Sequence, residues 1–460
     1  MIGARVVATL VVLAALALPA GAAAKPRPGT LTQLKGERGC VVDRGAKARA
    51  GCATARALDG PGPFMGSRAI AVSPEGNSLY VASSKSDAIA IFSRNRKSGV
   101  LTQGPGTIAC VAAKGGGGCA PALGLDEPNS VAVSPDGRNV YATSRAGNSV
   151  TAFRRNRKTG GLRQLPPAFS GCISGIPIPG CGAGVGLLGP DVVVVSPDGR
   201  NAYVGSFFGN SVASFARNPQ TGMLTQLSGT AACIAEATAG CATGIGLKSV
   251  EGLAIAPNGN AVYAATALSN AVVTLGRDPS TGALAQASDG SGCIVDAPLA
   301  GCTTGRELAG ANAVAVSADG RNVYATSLFS NSVTAFDRAA STGALTQKEG
   351  TAACLIYLRA AGCSFGRALR APEGLALSAN GRHAYVAAFR SGAIAVLSRG
   401  GSGKLVQRRG SAGCLARSLP GCTRARALRG VSSIALSPDG RHLYATAFES
   451  DAVAVFRRNR

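Results

Sequence analysis

Residues 129–165 read NSVAVSPDGRNVYATSRAGNSVTAFRRNRKTGGLRQL, and the punctuation of this stretch decides the fold. It holds four short apolar segments, SVAV, VYATS, SVTAF and LRQL, set apart by turn residues. The PDG and KTGG pieces supply the glycine and Asn/Asp chemistry that tight turns need. The segments are mostly small and apolar and do not alternate cleanly, which fits strands buried on both faces. No segment sustains a helical period.

The SPDG signature and its variants recur at Ser73, Ser134, Ser196, Ala256, Ser317, Ser378 and Ser437, at intervals of 61, 62, 60, 61, 61 and 59 residues. Seven near-identical units of this length predict an all-β ring of stacked sheets. We label the four segments of each unit A to D. The last unit has A (SSIAL), B (HLYATAF) and C (AVAVF) and then ends, whereas GTLTQL at residues 29–34 is a D segment without a unit. The N-terminal strand is therefore expected to complete the last sheet, which removes the open edges that invite aggregation. The predicted fold is a seven-bladed β-propeller with four antiparallel strands per blade, occupying residues 25–460.

LYVASSKSDAIAIF and VYATSRAGNSVTAF, each after an SPDG-type turn and before TG-x-L, resemble the YVTN-type and lactonase-like (6-phosphogluconolactonase-like) seven-bladed propellers. The resemblance covers residues 29–460 and rests on turn and strand chemistry, which propellers of unrelated function share. It implies a His, Arg and Glu group at the channel mouth. Neither histidine of this chain maps there. His383 and His442 follow GR at the start of a B segment, where other repeats carry Asn139, Asn201 or Asn322, and they read as polar strand-entry residues.

The chain opens MIGARVVATLVVLAALALPAGAAAKP, with Arg5 before an apolar run and AAA at 22–24, which reads as a Sec-type signal peptide over residues 1–24. No cysteine near residue 24 is placed for lipidation, so a secreted or envelope-associated monomer without a permanent anchor is expected. Fourteen cysteines fall one pair per repeat: Cys40 and Cys52, Cys110 and Cys119, Cys172 and Cys181, Cys233 and Cys241, Cys293 and Cys302, Cys354 and Cys363, Cys414 and Cys422. An even count in a secreted chain predicts disulfides, and the gaps do not suit zinc knuckles. Pairing within each loop and pairing between neighbouring loops both satisfy the count. These loops connect D to the next A, so they are expected to ring one mouth of the channel.

Five residues before each SPDG serine equivalent stand Arg68, Asn129, Asp191, Glu251, Asn312, Glu373 and Ser432, predicted to encircle that mouth as a ligand site. The oxygen-rich members Asn129, Asp191, Glu251, Asn312 and Glu373 are donors suited to calcium. Calcium-dependent propeller lactonases are similar in holding an ion that polarises a lactone carbonyl. Phe207, Phe208, Phe329, Phe389 and Phe448 lie in B–C loops on the same face and are expected to plug gaps between blades. The formal net charge is +24, and SRNRK (93–97), RRNRK (154–158) and RRNR (457–460) predict a peripheral basic patch on the opposite face. That patch suits an anionic envelope polymer, and no specific nucleic-acid module accompanies it. The expected function is non-enzymatic: an extracellular binding protein taking a small molecule or glycan at the channel mouth. A calcium-dependent lactone hydrolase is the alternative, and a structural envelope component the third.

Overall fold

Each repeat closes on itself as one twisted sheet, because turns at fixed offsets return the chain before an apolar segment grows long. The computed structural model describes residues 27–46, 51–62, 68–113, 115–166, 171–358 and 362–460; residues 1–24, where a signal peptide is expected, lie outside them. The described residues form seven sheets of six strands each. The third blade shows the plan. Strands A (Pro190–Val195), B (Asn201–Ser206) and C (Ser211–Arg217) run antiparallel from axis to rim. Strand D is split: Leu224–Gln226 pairs with the end of C, and Cys233–Ala235 pairs with its beginning. A two-residue strand, Ala242–Thr243, then adds in parallel outside it. The four-strand plan thus gains a short fifth layer.

The last blade takes A, B and C from Val431–Leu436, His442–Ala447 and Ala452–Arg458, and its outer strands from the N-terminal end. Leu31–Gln33 and Cys40–Asp43 both pair with Ala452–Arg458, as expected from the two chain ends.

All seven disulfides form within their own loops, across sequence separations of 8 to 12, and no described cysteine is free. The loops do project on the B–C face, where Glu236 N–H donates to Asn210 O and Thr238 Oγ1 to Gly209 O. Their radius corrects the expectation of a ring around the channel. The first cysteine of each pair opens the second half of strand D, so the bonds fasten the rim. Each closes a loop of about ten residues and contributes about 2–3 kcal/mol in the chain-entropy model.

Adjacent blades are joined by a clasp that recurs at every interface. The arginine ending strand C (Arg94, Arg155, Arg217, Arg277, Arg338, Arg399, Arg458) donates from Nε to a strand-B tyrosine of the preceding blade at 2.5–2.9 Å. Those tyrosines (Tyr444, Tyr80, Tyr141, Tyr203, Tyr263, Tyr324, Tyr385) donate in turn to a glycine carbonyl in the arginine's own blade at 2.6–2.9 Å. Arginine Nη1 binds the glycine carbonyl of its own A–B turn, and Nη2 reaches acidic, amide or imidazole groups across the interface. The glycine that closes each C–D turn is required here. Gly222 has φ +84°, and a Cβ on it would stand 1.9 Å from Asn139 Nδ2.

Two outer contacts repeat the pattern. The glutamine ending each first D segment, such as Gln226, grips both backbone groups of Val185 in the connection from the preceding blade, at 2.9 and 2.7 Å. The left-handed Asn210 (φ +48°) accepts from Ser249 N–H in the next connection.

Removing the phenol oxygen in Tyr203→Phe leaves Arg277 Nε without its acceptor in a buried interface. Urea denaturation should show a loss of about 1–3 kcal/mol. Replacing Cys233 and Cys241 together by serine should cost about 2–3 kcal/mol at most, read as a lower melting temperature, with the far-ultraviolet spectrum unchanged.

Candidate functional site

The bulge, not strand alternation, aims the predicted ring. In six blades the register between A and B slips by one residue, and the extra residue is the ring member: Asn129, Asp191, Glu251, Asn312, Glu373 or Ser432. Bulges re-aim side chains and are common beside functional sites. Asn129 and Asp191 meet across blades, Asn312 and Ser432 reach backbone carbonyls of the next blade, and all six are 0–2% exposed. They form a sealed polar layer in place of the lined mouth that the spacing suggests.

Its partners are specific. Asn129 Nδ2 donates to Asp191 Oδ1 at 2.6 Å. Arg145, from the B–C loop of the second blade, forks onto both Asp191 oxygens at 3.0 and 2.7 Å, with Phe207 packed over its guanidinium at 4.7 Å. Burial pushes the Asp191 carboxyl up, while Arg145 and Asn129 draw it back. Glu251 is held well above the usual carboxylate range by burial, then by the negative charges of Asp191 and Glu373. Asn312 accepts from Thr326 Oγ1 at 2.8 Å and donates to Pro372 O at 3.2 Å; Ser432 Oγ donates to Gly62 O at 2.6 Å.

This donor set does not fit calcium. Asp191 spends both oxygens on Arg145, which brings its own positive charge, and Asn312 Oδ1 is taken by Thr326. Among the described residues no three His, Cys, Asp or Glu side chains come together as a metal cluster. A dication needs six or more oxygens left open to it.

Arg68 behaves differently. It precedes the first inner strand, Ile70–Val72, and lines a cavity of about 530 Å³ on the propeller axis. All seven A strands contribute to the wall, through residues such as Val72, Val133, Val195, Ile255, Val316 and Leu377. Arg68 is the one charged lining residue among those described. Burial lowers its pKa, but a guanidinium stays protonated even so. Exposure rises along each inner strand from a buried start to a half-buried end, as in Pro128–Val133 and Pro372–Leu377. The cavity is therefore a channel capped by the polar layer and open on the A–B face. At the capped level neighbouring backbones touch: a Cβ on Gly252 would meet Asn312 O at 2.5 Å.

The comparisons bear on this architecture. Residues 252–359 match the model of a family described as Lactonase, 7-bladed beta-propeller. The chain folds as a seven-bladed β-propeller, and this segment is similar to that family. Its fold is similar to that of a proposed 6-phosphogluconolactonase from Bacteroides uniformis ATCC 8492, with TM-score 0.53 and 18% identity over 81% of this chain and 88% of that one. A second from Bacteroides fragilis NCTC 9343 gives TM-score 0.51 and 18% identity over 73% and 81%. Hydrazine synthase of Kuenenia stuttgartiensis gives TM-score 0.53 and 17% identity over 86% and 96%, so this likeness is one of fold. No curated protein sequence matches the chain.

In this propeller the two histidines serve the interblade clasp. His442 Nδ1 faces Arg94 Nη2 at 2.7 Å and His383 Nδ1 faces Arg458 Nη2 at 2.9 Å, where Asn139 offers Oδ1 to Arg217. The network assigns Nδ1 as acceptor, so each ring is neutral. The basic clusters change too. Arg94, Arg155 and Arg458 are buried in the clasp, which leaves Arg96, Lys97, Arg154, Arg157, Lys158, Arg457 and Arg460 exposed for the peripheral patch. Phe207 and Phe448 pack on cations of the neighbouring blade, Arg145 and Lys85, but Phe208 and Phe329 are 63% and 62% exposed and plug nothing.

Burial and the facing arginines (Arg458, Arg408 and Arg382; Arg94 and Arg441) hold both imidazoles at about 4, against 6.5 for the free group, with Asp439 opposing this at His442. The unfolded chain then binds these protons first, so stability is full above pH 6.5 and falls as pH drops from 6.5 to about 4. Asp319 and Asp439, held down at about 2, lose their contribution only at lower pH. Denaturation of His383→Asn/His442→Asn across the upper window should show a smaller loss than the parent chain.

Proposed function

We propose that this chain is an extracellular binding propeller whose capped channel takes the apolar body of a small organic anion against Arg68. The observation that carries the reading is the lining itself: seven apolar strands and, among the described residues, a single guanidinium at the closed end. A cavity of this size lies within the range of small-molecule sites, which are mostly apolar with a few fixed polar groups. An anion reaching Arg68 exchanges water for a charge-assisted hydrogen bond in a low-dielectric setting. Seven disulfides accord with an oxidising compartment outside the cytoplasm.

A lactone hydrolase is the second reading, favoured by the family match over residues 252–359. It lacks an imidazole to activate water, since both histidines are engaged with arginines on the far side of the blades.

Calorimetric titration with decanoate and decanol distinguishes these ideas. The proposal expects decanoate to bind at least about tenfold more tightly than decanol, a difference of about 1.4 kcal/mol. Arg68→Met should erase that preference while leaving the melting temperature unchanged. Absence of decanoate binding, or a preference that survives Arg68→Met, overturns the assignment. Turnover of an uncharged lactone by the parent chain selects the second reading.

A further inference from the structure

The B–C face, opposite the channel opening, has a use the channel does not explain. The second residue of the B–C loop runs Lys85, Ala146, Phe208, Leu268, Phe329, Arg390 and Glu449 around the ring. On the third, fourth and fifth blades it is large, apolar and 62–63% exposed. Leu188 (46%) and the disulfide-loop tips Leu299 (41%) and Leu358 (63%) extend the same sector outward. Equivalent loops of successive blades end at similar heights in a propeller, so these side chains stand in one arc. Exposed Lys248, Arg370 and Arg390 lie in and beside the arc; the acidic Asp126 and Glu127 stand one blade beyond its other end, Glu307 is half-buried within it, and Glu236 and Asp296 turn a carboxylate oxygen to the Leu247 and Leu308 N–H groups. An apolar arc bordered by cations on a strongly basic chain complements one partner in both polarity and charge.

We propose that this sector docks on the surface of an anionic lipid bilayer. Phe208, Leu268, Phe329 and Leu358 enter the headgroup–acyl boundary, and Lys248, Arg370 and Arg390 meet lipid phosphates. Apolar insertion and attraction to anionic headgroups act together at such surfaces, and each basic residue near the surface adds about 1 kcal/mol. Docked this way, the propeller holds its channel opening toward solvent.

The test is co-sedimentation of the full chain with vesicles of equal parts phosphatidylcholine and phosphatidylglycerol, compared with phosphatidylcholine alone. The expected result is binding to the anionic vesicles that falls at least about tenfold in Phe208→Ser/Leu268→Ser/Phe329→Ser and in Arg370→Glu/Arg390→Glu. All five positions are exposed, and unchanged melting temperatures confirm folding. A third variant, Arg96→Glu/Arg154→Glu/Arg157→Glu, alters the basic patch of the opposite face and should bind as the parent does. Failure to sediment overturns the proposal, as does binding lost only in the third variant. So does a dimer in solution that the serine variant disperses without any vesicle binding.

Discussion

The arginine at the end of each third strand is the contact on which the ring depends. A propeller blade buries both faces against its neighbours, so its apolar residues provide attraction but little direction. The Arg–Tyr–Gly clasp adds direction. A planar guanidinium with Nε, Nη1 and Nη2 committed to three partners permits only one offset between blades. The same three donors act at the two interfaces that close the ring, where Arg458 meets Tyr385 and Arg94 meets Tyr444. Closure therefore uses the geometry of every other seam.

That constraint shapes the chemistry elsewhere. Seven arginines are withdrawn from the surface, so a large formal charge overstates what a polyanion can touch. Both histidines are absorbed as substitutes for asparagine, which removes the side chains best suited to proton transfer near neutral pH. With the blades locked at the A–B side, the inner strands diverge enough there to leave a channel. At their other ends the bulged residues fill the axis with a hydrogen-bonded layer. A ring of carboxylates and amides became a lid once Arg145 entered it and Asn129, Thr326 and Gly62 satisfied its members.

Much of this was legible in the residues. The SPDG spacing and the complementary deficit at the two chain ends imply seven blades and their closure. The cysteine pairs imply stapled loops, and the position five residues before each turn serine does mark a layer around the axis. The clasp was equally periodic: Tyr203 and Arg277, with their equivalents, recur once per repeat, and the glycine before each D segment supplies the carbonyl between them. Its signal hid inside segments that read as a strand (VYATS) and as a basic surface (RRNRK). Periodicity identified the residues; only the three-dimensional offset between blades made them partners.

The sequence by itself determined the number of blades, the order of strands and the site of closure, because turns and strand lengths are local properties that repeat in register. The tertiary structure decided which polar residues face water. Asp191 and Glu251 are buried because a one-residue bulge rotates them inward, and the preceding blade supplies Arg145 and Asn129 to receive the charge of Asp191. Arg68 lines the channel just ahead of Ile70–Val72. The disulfides sit at the rim because strand D is split, a pairing choice made against strand C. Those outcomes depend on contacts between residues about sixty positions apart, which no local pattern encodes.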